Sequence, residues 1–192
     1  MIRVQRALVV ALPGSGCIGG TARREEPMRS LEQLQPAVTV YLRVALAAAF
    51  LSAVADRFGL WGPFGTPNVA WGEFGRFVAY VGKLNWFVPE GLWPLVAWLS
   101  TAAELSLGLL LLVGLWTRVA AMLSALLLLV FALAMVVALG PEPPLAFSVW
   151  SASAGAALLA TLPEPAYVWS LDHWLHRDST RRESAAMGPV AR

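Results

Sequence analysis

Cysteine is almost missing from this chain. Cys17 stands alone among 192 residues, so the chain by itself can form no internal disulfide, no Cys-x-x-Cys redox pair and no cysteine zinc site. Histidine is nearly as scarce: only His173 and His176 occur, three apart and with no third ligand nearby, so neither a metal nor a haem is expected. Charged residues make up 14% of the chain, against roughly 25% in soluble domains. Hydrophobic residues make up 58%, above the usual 45–50% or so, which excludes an ordinary water-soluble globule. No Gly-rich phosphate loop, nucleophile elbow, His-Glu-x-x-His pair or nucleic-acid module is present. The net charge of +2 does not point to nucleic acid either, because the basic residues lie at the ends of apolar runs rather than along one face. At 20.6 kDa a bundle of spans leaves little room for a soluble catalytic domain. Any chemistry is expected in or beside the bilayer, or in a partner.

What the chain does have is long apolar runs. Val119–Leu139 carries no charge over 21 residues, Leu145–Leu162 none over 18, and Leu92–Trp116 only Glu104 over 25, all of membrane-crossing length. With a first span at Ala37–Ala55, opened by Pro36 in its first turn, the sequence predicts an all-α, integral membrane four-helix bundle over residues 36–163. Gly114-Leu115-Trp116-Thr117-Arg118 is so short a joint that spans two and three must form an antiparallel hairpin, with Gly114 closing one helix in a left-handed cap and Thr117 capping the next. Pro141-Glu142-Pro143-Pro144 breaks the chain before the fourth span. Ten Lys and Arg fall on one side of this layout and three on the other, so both termini are expected in the cytoplasm of a bacterial inner-membrane protein.

Residues 1–35 read as a disordered or mis-assigned leader. Their apolar stretch Ala7–Leu12 is too short to span, Gly14 spoils a lipoprotein signal before Cys17, and Met28 is a candidate natural start. Residues 164–192 read as an interfacial helix over Pro165–Arg177 followed by a disordered basic tail from Ser179. The long loop Gly59–Gly91 is rich in aromatics. Within it Trp71, Phe74, Val78 and Val81 recur at helical spacing, opposite Glu73, Arg76 and Lys83, which predicts a short helix lying in the membrane interface. These aromatics, Trp71 and Trp86 among them, form either an aromatic belt or a lid over a ligand pocket.

A charge at bilayer depth is costly and faces the bundle interior with a partner. Glu104 shares a small, polar stripe with Ser100, Thr101 and Gly108, and that stripe is expected to face other helices. Counting from the expected helix ends puts Arg43 roughly 9 Å and Glu104 roughly 16 Å from the same membrane surface. An Arg43–Glu104 pair is therefore expected, as a structural clip or as part of a site with Ser100, Thr101, Trp71 and Trp86. Left unpaired, Glu104 could instead serve a quinone headgroup or a proton path. Asp56 and Arg57 are expected at the interface, snorkelling there or pairing with Arg76, Lys83 or Glu73.

The stretch Glu104-Leu-Ser-Leu-Gly108 through Gly114-Leu-Trp-Thr-Arg118, after a first span that begins Tyr41-Leu42-Arg43 and ends Asp56-Arg57-Phe58-Gly59, resembles the DoxX family of small four-helix bacterial membrane proteins over roughly Tyr41–Leu162. The resemblance implies a link to membrane redox chemistry, since that family takes its name from a subunit of a thiosulfate:quinone oxidoreductase. Three functions follow as expectations. The first is a redox-associated subunit that interacts with a quinone or small substrate, has no covalently bound cofactor and needs a redox enzyme as partner. The second is a non-enzymatic assembly or integrity factor, and the third a small proton-coupled transporter. Small-residue stripes (Ala45, Ala48, Ala49, Ser52 and Ala53; Ser151, Ala152, Gly155 and Ala156) predict close helix contact and permit a homo-oligomer.

Overall fold

In the computed structural model, residues 22–163 and 170–172 are described, and the compact unit that carries the site begins at Gln35. Among the described residues the chain is helical, without strands. Helix α1 runs Ala22–Arg57, α2 Phe74–Leu84, α3 Trp93–Val113 after a single 3-10 turn at Glu90–Leu92, α4 Thr117–Leu139, α5 Glu142–Ala146 and α6 Val149–Thr161. Three segments are long and apolar enough to cross a membrane: Gln33–Arg57, Glu90–Val113 and Thr117–Leu139. This is a multi-pass membrane protein.

Two boundaries differ from the sequence reading. Pro36 does not open the first span, because α1 already runs helical from Ala22. The fourth span is not one helix. The prolines at 141, 143 and 144 start a short helix, α5, as Pro does well in a first turn. The chain then breaks at Ser148, which adopts a left-handed backbone with φ 55°, and α6 covers only 13 residues. The readings of the leader, of the Pro165–Arg177 helix with its two histidines, and of the tail lie wholly or mainly outside the described residues.

Gly114 closes α3 as expected, in the left-handed region at φ 75°, with its N–H donating to Leu110 O at 2.8 Å and that of Leu115 to the same oxygen at 3.1 Å. Thr117, by contrast, does not cap α4: its Oγ1 is buried without a hydrogen bond. Asp172 takes that role from a distance, its two carboxylate oxygens accepting the N–H groups of Trp116 and Thr117, each at 2.8 Å. A carboxylate there meets both the unpaired donors and the positive end of the helix dipole.

Small residues draw the helices together. Ala120, Ala121 and Ala125 of α4 and Ala156 and Ala160 of α6 are buried with Leu46, Ala47 and Phe50 of α1 and Leu107 and Leu111 of α3. Helices α4 and α6 pair extensively. Ser153 Oγ crosses this pairing to donate to Ala125 O at 2.8 Å, and Arg118 donates to Ala160 O near the end of α6 and to Leu162 O just past it, at 3.2 Å each. These two contacts run in opposite sequence order, so α4 and α6 are antiparallel. Leucines such as Leu109, Leu126 and Leu133 stay exposed on the outer faces, as a lipid-facing surface requires.

Candidate functional site

The register of α1 against α3 decides which charges meet. Gly108 lies against Phe50 and Leu51, and Gly114 against Arg43, so the helices are antiparallel and Glu104 stands level with residues 54–55 of α1. Arg43 is then about 17 Å away along the axis, at 1.5 Å per residue. Arg57 is one turn away, and it is Arg57 that pairs with Glu104. Its Nη2 donates to both carboxylate oxygens, at 2.7 and 2.8 Å, and its Nη1 to Thr101 Oγ1 at 2.9 Å. Both charged residues are buried, at 3% and 2% exposure.

The expected Arg43–Glu104 pair is therefore corrected. Depth counted from Ala37 places Arg43 too far into the bundle, because α1 begins well before that residue. Arg43 and Arg57 are 14 residues apart, which at 100° per residue leaves them within about 40° of one face of the helix, so they differ in depth rather than in face. Arg43 is buried at the other end, beside Gly114 and Ser170 and within electrostatic reach of Asp172.

Aromatic side chains cover the pair. The Phe77 ring centroid lies 3.7 Å from the Arg57 guanidinium carbon and that of Trp71 5.5 Å from it, in cation–π contact. Trp71 packs edge-on against Phe77 at 5.2 Å and tilted against Tyr80 at 5.9 Å. Helix α2 is the short helix predicted in the loop, but it begins at Phe74 and leaves Trp71 in the turn before it; Phe77 and Val81 form a small core of their own with Ala97 of α3. Asp56 ties the loop down: its Oδ2 accepts the N–H groups of Ala70, at 3.2 Å, and Trp71, at 2.9 Å. Its neighbour Gly72 has φ 68°, and a Cβ there would collide with Phe64 N, so the turn that carries Trp71 needs glycine. Asp56 and Arg57 thus have other partners than the expected Arg76, Lys83 and Glu73, and Arg76 pairs instead with Glu73 at 3.0 Å on the surface.

Beneath this cover is a cavity of about 460 Å3, within the size range of small-molecule sites. Arg57 and Glu104 are its charged residues. The rest of its wall is apolar or aromatic, from α1 (Phe50), the loop and α2 (Trp71, Phe77, Tyr80), α4 (Phe131) and the α5–α6 break (Phe147), among others. Burial pushes the Tyr80 phenol above its ordinary pKa, so it stays neutral at physiological pH. Arg57 Nε–H is buried without an acceptor.

Of the six candidates, the structure brings together Glu104, Thr101 and Trp71. Ser100 bonds within its own helix, to Ala97 O at 3.0 Å, and Trp86 is 70% exposed, stacked edge-on with Phe87; neither lines the cavity. Sequence reasoning missed Arg57, Phe77 and Tyr80 as site residues. The 14-residue spacing of the two arginines was the available signal for the first.

A family model described as methylamine utilisation protein MauE matches residues 35–146, which covers α3, α4, α5 and the part of α1 and the loop that builds the charge pair, and stops before α6. No curated protein and no solved structure matches the chain. The expected membership of the DoxX family is overturned by this match. The features on which it rested, intramembrane charges and a Gly-x-x-Thr-Arg turn, are not specific to one family. With more than half of its length matched, the chain belongs to the MauE family of membrane proteins.

Proposed function

We propose that this protein is a membrane subunit of a redox system, and that its cavity holds the head of a quinone or another small substrate against Arg57 and Glu104 while a partner supplies the electron-carrying centre. The observation that carries this reading is a charge pair set in the wall of an otherwise apolar cavity. Opposite charges cancel there, so a neutral polar head can approach without facing a net charge. A guanidinium carries N–H donors and no acceptor, so the neutral head it favours is one that accepts, such as a carbonyl oxygen. The family name adds chemical sense: using methylamine as a fuel means oxidising its carbon, and the electrons removed need a carrier. A single cysteine leaves the chain no dithiol of its own to carry them. The charge distribution favours an inner-membrane orientation with both termini cytoplasmic.

The assembly-factor reading draws support from the completeness of the pair, whose guanidinium already has Glu104, Thr101 and Phe77. The proton-coupled reading needed an unpaired Glu104, and both Glu104 oxygens are engaged. Purification in mild detergent followed by lipid extraction and mass spectrometry separates the first two. A near-stoichiometric quinone that is lost in the Arg57→Met/Glu104→Leu double variant supports the redox reading. Folded wild-type protein with neither quinone nor a co-purifying redox enzyme supports the assembly factor.

A further inference from the structure

The wall of the cavity is incomplete on one side. Helix α6, at 13 residues, is about 20 Å long, shorter than the ~30 Å hydrocarbon core of a bilayer. It runs antiparallel to α1, since α1 and α3, α3 and α4, and α4 and α6 are each antiparallel pairs. Gly155 packs against Leu42, with Cδ1 3.3 Å from where a Cβ would stand, so Val149, the first residue of α6, is level with residue 48 of α1. Arg57 lies nine residues, about 13 Å, beyond that level. Over this distance α6 is not there to flank α1. The helix is interrupted at Phe147 and Ser148, and Ser148 has a left-handed backbone.

The cavity lies at this gap. Leu46 and Ala49 of α1, Phe147 at the break, and Val149 and Ala152 of α6 all line it. Phe147 is 73% exposed and Ala49 is exposed too. Both are apolar, and Ala49 belongs to a membrane-crossing segment, so what meets this opening is hydrocarbon rather than water. At the far end the loop is drawn in by Asp56, and Trp71, Phe77 and Tyr80 stand over the pair. Ala70, also exposed, marks the rim on that side.

We infer that the cavity loads sideways from the bilayer, through the gap between α1 and the Phe147–Ser148 break, and takes lipid-dissolved molecules whose apolar tail lies in the gap while a compact neutral carbonyl head reaches Arg57 and Glu104. The inference rests on the ligand reading above and adds its route and class. A tailed molecule suits the volume, because about 460 Å3 is toward the small end of ligand sites and a long tail must leave it. A net-charged head is disfavoured, since it would lose its hydration and find an already neutral pair.

Reversible blocking of each rim tests the route. In a Cys17→Ser background, Ala49→Cys and Ala70→Cys are separately modified with a bulky methanethiosulfonate in lipid nanodiscs, and decylubiquinone association is followed by stopped-flow quenching of tryptophan fluorescence. Blocking residue 49 is expected to slow association at least ten-fold more than blocking residue 70 does, with recovery on adding reductant. The opposite pattern, or no effect at either rim, overturns the lateral route. Absence of saturable quenching in the unmodified protein refutes the quinone reading instead. The route is then decided by a nitroxide on Met135→Cys inside the cavity. Faster collision with lipid-soluble oxygen than with a water-soluble nickel complex upholds the lipid opening, and the reverse overturns it.

Discussion

Removing the Glu104 carboxylate should be among the most damaging single changes available to this protein. Arg57 is 3% exposed, and its guanidinium spends one nitrogen on both oxygens of Glu104. Glu104→Ala therefore leaves a buried cation with Thr101 and an aromatic face for company. Breaking a buried pair in this way costs about 3–5 kcal/mol, whereas replacing both members with apolar residues of similar volume is often neutral or stabilising. Arg57→Met/Glu104→Leu should thus recover most of the stability lost in Glu104→Ala. A double-mutant cycle, read by SDS-driven unfolding in mixed micelles with circular dichroism, should give a coupling of about 2–3 kcal/mol between Arg57 and Glu104. Between Arg43 and Glu104, about 17 Å apart by register, it should be within ~0.5 kcal/mol of zero. A coupling for Arg57 below that level, or a larger one for Arg43, would refute the register on which the site is built.

Asp56→Ala frees the N–H groups of Ala70 and Trp71; a loss of about 1–3 kcal/mol should come with a red-shifted tryptophan emission as Trp71 gains water, and unchanged emission would show that Asp56 does not hold the cover. Gly114→Ala forces a side chain into the left-handed region, with Arg43 Nη1 only 2.7 Å from the new Cβ; a loss of at least ~1–2 kcal/mol in the same unfolding assay is expected, and a neutral result would contradict the packing of that turn. Asp172→Ala removes the remote cap of α4 and should cost about 0.5–2 kcal/mol, with faster proteolysis at Leu115–Thr117. Because burial raises the pKa of Tyr80, its contribution to stability is present below the unfolded value of about 10 and is lost as pH climbs through the folded one. Absorbance at 295 nm should show a late-titrating tyrosine that Tyr80→Phe abolishes, and three tyrosines titrating together would contradict this.

The membrane character, the hairpin at Gly114 and the helix in the aromatic loop were legible because each depends on local chemistry: apolar runs, a glycine free to turn left-handed, a 3.6-residue stripe. Depth was not. Pro36 looked like a start because proline suits a first turn, yet a helix that begins earlier can carry it in its interior, and the shift moved the expected partner of Glu104 by 14 residues. Phe147-Ser148 could not be read as a break because nothing in the composition of Leu145–Leu162 marks it. The Asp172 cap was beyond local reading for a similar reason: it comes from 55 residues away, where Thr117 was the obvious neighbour.

The central claim is that Arg57 and Glu104 receive a carbonyl head inside the bundle. Isotope-edited infrared spectra of decylubiquinone with 13C carbonyls, in nanodiscs with and without the protein, test it most directly. The account expects a carbonyl band shifted to lower frequency by the wild-type protein, as a charged hydrogen-bond donor requires, and returned to its lipid position in folded Arg57→Met/Glu104→Leu. A band that stays at its lipid position in the wild-type protein at saturating quinone would contradict it.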